Sequence, residues 1–211
     1  MSIDAFLKTI QAYQSSNVFN PYSDVCEDYD SNESPQARLE VLKAILEKAT
    51  QEGVDAIWLG RDLGHKGGRR TGLALTDDLN VDNHLQRWGI TECTLPRPEQ
   101  PVKENTATVV WEKIQQIDDN IFLWNIFPFH PHEADNPLSN RTHNSEEGQA
   151  GQDILSELIK LLKPRKIIAI GNDAFNGAQQ LNSDIEVKKV RHPSYGGKQE
   201  FIAGIDDEYG I

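Results

Sequence analysis

The stretch Val54-Asp55-Ala56-Ile57-Trp58-Leu59-Gly60-Arg61-Asp62-Leu63-Gly64-His65 decides how the rest of the chain is read. Val54 to Leu59 has the length and apolar bulk of a buried strand, and a glycine-rich loop runs from Gly60 to Gly72 directly after it. A second segment has the same form, with Ile185 to Val190 followed by Arg191-His192-Pro193-Ser194. Loops leaving parallel strands at one edge of a sheet converge on a single crevice. A carboxylate at 62 and an imidazole at 192 are therefore expected to face the same bound molecule, which makes the chain an enzyme candidate.

Outward from this stretch, helix and strand patterns alternate. Toward the N-terminus, Ile3, Phe6, Leu7, Ile10 and Tyr13 keep helical spacing. Ser34-Pro35 opens a helix that carries Leu39, Leu42, Ile45, Leu46 and Ala49 to near Gly53, and the acidic stretch from Asn20 to Ser34 reads as loop. Beyond the glycines, the pattern predicts a helix over Asp77 to Trp88 with Thr76 as its cap. A loop with three prolines follows from Leu95 to Val102, then a helix over Thr106 to Ile117. Ile121 to Ile126 is a second core strand, and Phe127 to Asn144 is a loop long enough to suggest function. Asn144 or Ser145 caps a helix bearing Ile154, Leu155, Leu158, Ile159 and Leu162, which Pro164 stops. Lys166 to Ile170 is a third strand, Gly171-Asn172-Asp173-Ala174-Phe175 opens a short helix, and Ile185 to Val190 is a fourth strand. The alternation predicts an α/β fold, three-layer α/β/α with a central, mostly parallel four-stranded sheet, as a single domain over residues 1–211.

Apolar residues make up 37% and charged residues 26% of the chain, an ordinary globular balance that excludes disorder. No apolar run approaches the length of a membrane span, and Asp4 and Lys8 interrupt the apolar residues at the start, where a secretory segment would need none. Cys26 and Cys93 are too few for a disulfide framework or an iron–sulfur cluster, so the expectation is a reducing, cytoplasmic setting with no cofactor. A zinc reading of His130-Pro131-His132 with Glu133 and Asp135 lacks the converging ligands a metal requires. The net charge of −12 argues against nucleic acid as a partner. Basic residues nevertheless gather beside the two loops, with Lys66, Arg69 and Arg70 at the first and Lys188, Lys189, Arg191 and Lys198 at the second.

Several ordered blocks carry a resemblance: Asn20-Pro21-Tyr22, the Gly60 loop ending Thr71-Gly72-Leu73-Ala74-Leu75-Thr76, and Trp124-Asn125-Ile126-Phe127-Pro128. Asn136-Pro137-Leu138-Ser139-Asn140-Arg141, Gly171-Asn172-Asp173-Ala174 and Arg191-His192-Pro193-Ser194 complete the set. Together they resemble the uracil-DNA glycosylase superfamily from roughly Asn20 to Gly204. Such an enzyme extrudes a nucleotide, reads its base edge and stabilises charge as the glycosidic bond breaks. The resemblance implies hydrolysis of uracil or a related deaminated base from DNA in base excision repair. The partner would be damaged DNA, not a membrane, and the expected state is a monomer.

By the same resemblance Asp62, at the family's Gly-x-Asp position, orients water, and His192 stabilises the leaving base as an oxyanion hole would. Asn125 reads the base with an amide that offers donor and acceptor together. Gly60, His65 and Ser194 fall at substrate-binding positions, Arg69, Arg70 and Arg141 at DNA phosphates, and Tyr195 at a wedge that fills the vacated stack. Each has a plainer reading: a turn-capping Asp62, a structural His192, an Asn125 bonded to strand-end backbone, and solvated arginines. Leu75 departs from the family, which commonly has an aromatic there, so base stacking of about 1–3 kcal/mol would be reduced. Phe127 or Phe129 are the rings that could replace it, with core packing as their plainer reading. The alternative function is a catalytically weak or inactive nucleobase- or DNA-binding paralogue. A phosphate cradle is disfavoured because the loop has neither a Gly-Lys-Ser/Thr ending nor a Gly-x-Gly-x-x-Gly fingerprint.

Overall fold

A computed structural model describes residues 1–96, 98–181 and 184–211, which leaves residue 97 of the expected 95–102 loop outside the described residues. The chain begins with α1 (Ile3–Ala12), β1 (Val18–Phe19) and α2 (Ser34–Glu52), and continues with β2 (Ala56–Asp62), α3 (Gly68–Thr71) and α4 (Val81–Arg87). Then come α5 (Asn105–Ile114), β3 (Ile121–Phe127), β4 (His130–Pro131) and α6 (Ser145–Leu162). It closes with β5 (Lys166–Ile170), α7 (Asn172–Gln179), β6 (Glu186–Val190) and α8 (Lys198–Tyr209). The main sheet has the order β3-β2-β5-β6, and every pairing in it is parallel. That is the three-layer α/β/α arrangement the alternation predicts.

Strand periodicity separates the core into two layers. Ile57 and Leu59 of β2 join Phe122, Trp124 and Ile126 of β3 against α1, α2 and α6. Ala56 and Trp58 join Ile121, Leu123, Ile168 and Ile170 on the opposite face, against α5 and α8. Trp58 is fully buried, and its indole N–H donates to Tyr209 Oη at 3.0 Å, which ties α8 down. Burial of each such side chain contributes about 1.5–3 kcal/mol.

Several boundaries differ from the sequence reading. β2 runs on through Gly60 and Arg61, so Asp62 ends a strand and does not sit in a loop. The helix expected over Asp77 to Trp88 starts only at Val81, because Asp77 accepts from Asn80 and from the Glu104 backbone. Thr76 does not cap that helix; its hydroxyl bonds the Ala74 carbonyl and His84 Nδ1. The 127–144 segment is not all loop, since β4 pairs antiparallel with β1. No helical pattern marks the segment that forms α8, where Phe201 and Ile205 make the buried contact.

His84 and His130 are buried, and both are held neutral. Burial, helped by Arg87, lowers His84 to about 3, and burial, helped by Arg69, lowers His130 to about 3. An unfolded imidazole titrates near 6.5. Between those values the unfolded chain binds more protons than the fold, so stability is lost as pH falls. The urea midpoint is expected to drop as pH falls from 6.5 toward about 4, and His84→Gln is expected to flatten that drop. An unchanged slope in the variant would contradict the burial of a neutral ring.

Candidate active site

The polar side chains gather where the parallel strands end. Register sets Gly60 of β2 opposite Asn125 of β3, and Asp62 opposite Phe127. Residues paired in this way project to the same face, so the Asn125 amide lies over Gly60. A Cβ at position 60 would collide with Asn125 Oδ1 and would stand 3.3 Å from Leu75 Cδ2. Asn125 is 1% exposed, yet its Oδ1 has no hydrogen-bond partner among the described residues. Leaving a buried carbonyl oxygen unpaired costs about 1–3 kcal/mol, and a ligand is one way to complete the set. The indole N–H groups of Trp88 and Trp124 also have no partner among the described residues, but they lie within the apolar layer and not at the sheet edge. Leu75 is held at φ +54°, a conformation that side-chain-bearing residues seldom adopt. Its carbonyl accepts from Trp111 Nε1 at 3.2 Å.

Asp62 is clamped from both sides, with its side chain only 6% exposed. Arg61 Nε donates to Oδ2 at 2.6 Å, and the Nδ1–H of His143 donates to Oδ1. The Arg61 guanidinium continues to Asp173 Oδ2, at 2.8 Å, in the first turn of α7. His143 immediately precedes Asn144, the N-cap of α6, whose side chain exchanges hydrogen bonds with Glu147 in a capping box. The ring packs over Gly148, where an added Cβ would come within 3.0 Å of it. Sequence reasoning missed His143, and the only signal for it was the length of the 127–144 segment.

His192 follows β6. Its Nδ1 accepts from the Ser194 backbone N–H at 3.1 Å, so the proton of the neutral ring resides on Nε2. Burial holds the imidazole below its usual pKa, with Arg61 and Arg191 adding to the effect and Asp173 opposing it. The backbone of Gly171, at φ +93°, admits the ring closely, and a Cβ there would lie 3.1 Å from that of His192. Arg61 therefore bonds Asp62 directly, and its charge also reaches His192.

Residues 48–202 match the family profile described as the Uracil DNA glycosylase superfamily. The chain belongs to that superfamily. Its members are DNA glycosylases, which are hydrolases. The crystal structure of wild-type Pedobacter heparinus SMUG2 matches the fold with a TM-score of 0.61 at 16% identity, covering 99% of this chain and 95% of that one. No curated protein matches the sequence.

Other positions expected from the superfamily resemblance divide into two groups. Tyr195 is 99% exposed at φ +53° beside Gly196, also at positive φ, on the loop after His192. Ser194 Oγ lies 3.3 Å from Thr106 Oγ1 at the start of α5. The His65 backbone N–H donates to Asn140 Oδ1 at 3.0 Å, and its buried ring Nδ1 has no partner among the described residues.

The arginines expected at phosphates are committed inside the protein. Arg69 is 3% exposed, with its guanidinium 3.9 Å from the centre of the Phe19 ring and bonded to Tyr29 Oη. Arg70 Nε donates to Asp78 at 2.8 Å, and Arg141 forms a two-pronged pair with Glu147 at 2.7 Å. Lys188 and Lys198 pair with Glu186 and Glu112. Lys66, Lys103 and Arg191 are exposed and form no ion pair among the described residues.

Phe127 and Phe129 are fully buried, and Phe129 stacks on Tyr13 at 4.5 Å, so both rings serve the core. His130 Nε2 bonds the Ser139 carbonyl at 2.8 Å and His132 Nδ1 bonds the Glu133 carbonyl at 2.9 Å. Among the described residues no group of three metal-ligating side chains converges, and no helix is long and apolar enough to cross a membrane. A small cavity of about 60 Å³ lined by Tyr29, Arg38, Arg70 and Asp78 has none of Asp62, Asn125 or His192 in its wall. Gly60→Ala is expected to force the Asn125 amide aside and to destabilise the fold by about 1–3 kcal/mol. The shift of the Asn125 side-chain NH₂ resonances and the denaturation midpoint measure the two effects, and wild-type values for both would refute the packing described.

Proposed function

We propose that the protein is a monofunctional DNA glycosylase that hydrolyses the N-glycosidic bond of uracil or a related deaminated base. The observation that carries this reading is the buried Asn125 amide, whose Oδ1 has no partner among the described residues, set over Gly60 at the same sheet edge as Asp62 and His192. An amide offering an acceptor and two donors complements the C=O/N–H edge of such a base. The extruded base takes the hydrogen bonds that no protein group supplies.

As the bond from C1′ to the base nitrogen breaks, its electron pair moves onto the base and the sugar becomes cation-like. His192 donates its Nε2–H to a base carbonyl and stabilises the anion there, while remaining neutral itself. Asp62 faces the sugar cation and orients a water, whose oxygen bonds C1′ and whose proton passes to the carboxylate. Arg61 and His143 each occupy one lone pair of Asp62. A carboxylate has about four such sites, so acceptor capacity is left for that water. Tyr195, exposed on its strained turn, is proposed to fill the stack, with Lys66, Lys103 and Arg191 at phosphates.

A second reading, a nucleobase binder without turnover, is favoured by Leu75, which gives the base an apolar contact but no π face. Cleavage of oligonucleotides carrying one uracil, hypoxanthine or xanthine, followed by alkali, separates the two. Asp62→Asn is expected to slow release of the preferred base by at least about 10²-fold. His143→Gln is expected to lower kcat about tenfold with KM unchanged, since it positions the carboxylate and does not bind DNA. Retained affinity for a lesion with no strand scission would support the binder instead. Leu75→Phe is expected to strengthen uracil processing, within the ~1–3 kcal/mol that one stacked base supplies. Unchanged uracil kinetics would show that this side chain does not meet the base.

A further inference from the structure

Glu104 is the N-cap residue of α5, where a side chain ordinarily turns back to bond the helix's own N–H groups. It makes no such bond. Instead its carboxyl group reaches across to the loop that follows Asp62. Oε1 lies where a Cβ on Gly64 would stand, and Oε2 where one on Gly67 would stand. Two glycines have left a space in that loop, and a carboxyl group from another element fills it.

The backbone fixes the reach. The Glu104 N–H donates to Asp77 Oδ2 at 2.7 Å, and the Glu104 carbonyl accepts from Thr108 Oγ1 at 3.0 Å. One half-turn on, Thr106 meets Ser194, two residues past His192. The start of α5 is thus wedged between the Asp62 loop and the His192 loop. No hydrogen bond to either Glu104 carboxyl oxygen is formed among the described residues. The charged groups acting on it are Asp77 and Lys66. Burial first, and Asp77 second, raise it to about 7 against the pull of Lys66. No step of the hydrolysis derived above uses this group.

We propose that Glu104 is a specificity-determining residue, whose carboxyl group accepts a hydrogen bond from a donor on the extruded base that Asn125 does not read. This rests on the glycosylase reading of the site. The ligand class follows from donor counting. Uracil joined to the sugar through N1 keeps one ring N–H, at N3, and hypoxanthine keeps one, at N1. Asn125 satisfies that single imide-type edge. Xanthine keeps two ring N–H groups, and 5-hydroxymethyluracil adds an O–H. Glu104 therefore selects for bases with a second donor, because a site built to receive a hydrogen bond rejects an analogue that lacks it.

The test uses the full chain and oligonucleotides identical except for uracil, xanthine or 5-hydroxymethyluracil at one position. Single-turnover release is measured for wild type, Glu104→Ala and Glu104→Gln. Affinity is measured for the same variants in an Asp62→Asn background. Glu104→Ala is expected to reduce release of at least one two-donor base about tenfold relative to uracil, and Glu104→Gln, which keeps an acceptor oxygen, is expected to restore part of that ratio. An equal loss on all three bases, or no change in their ratio, overturns the assignment. If wild type releases no base, the glycosylase reading fails, and the affinity ratios alone decide whether Glu104 discriminates. Should Glu104→Ala not fold, Glu104→Leu, which also removes the acceptor oxygen, carries the comparison, and a ratio equal to wild type overturns the assignment.

Discussion

The parallel register between β2 and β3 is the constraint from which the candidate site follows. On one face of β2 the side chains run Ala56, Trp58, then nothing, because position 60 is glycine. The apolar contacts of the first two hold the strand in place, and the absent third opens a hole at the sheet edge. Asn125, in the same row of β3, occupies that hole. A slip of one residue would exchange Asn125 with Trp124 between layers, stranding an indole outside its apolar layer and an amide inside one. Burial of Trp58, Trp124 and Leu59, about 1.5–3 kcal/mol each, outweighs the roughly 1–3 kcal/mol cost of one orphaned carbonyl. The core thereby holds in position an amide whose oxygen lacks a protein partner among the described residues.

The carboxylate at 62 is placed by the same strand but aimed by charges from elsewhere. Arg61 alternates to the side of β2 from which it can turn back on Asp62 and also reach Asp173 on α7. His143 arrives from the opposite direction, on the residue before the capping box of α6. Three elements thus fix one carboxylate: a strand end and two helix N-termini. Local helix-capping chemistry, usually a matter of stability, here determines where a polar side chain points.

Much of this was legible in the sequence. Apolar runs located the four main-sheet strands, and the choice of Asn144 or Ser145 as cap marked the start of α6, because burial and capping leave local patterns. The placement of Asn125 near the end of a strand and of His192 after one followed from the same runs. What was not legible depends on contacts distant in sequence. The continuation of β2 to Asp62 comes from pairing with β3 through residues that are not apolar. β1 and β4 are two residues each and exist only through each other. His143 and Glu104 sit in segments without periodicity, and each acquires meaning from a partner tens of residues away. The arginines misled for a related reason. Arg69 and Arg70 looked like surface charge beside glycines, but aromatic faces at Phe19 and Tyr29 and the carboxylate of Asp78 draw them inward.

That inward turn bears on how a chain with net charge −12 would meet a polyanion. Charges farther apart than about 10 Å are largely screened at 0.1 M salt, so the sum over the chain matters less than the few cations beside the site. Some of the acidic groups are neutralised where they stand: Asp30 by Arg38, Asp78 by Arg70, Asp206 by Lys113 and Glu208 by Lys166. Lys66 follows Asp62 on its loop, Lys103 precedes Glu104, and Arg191 precedes His192, so each of these three cations adjoins an element that meets at the proposed pocket. With about three phosphate contacts, each contributing roughly −0.9 to the slope of log affinity against log salt, electrostatics could supply only a shallow attraction. Most of the binding energy would then have to come from Tyr195 and from the extruded base itself, so that affinity depends on finding the lesion more than on holding undamaged DNA.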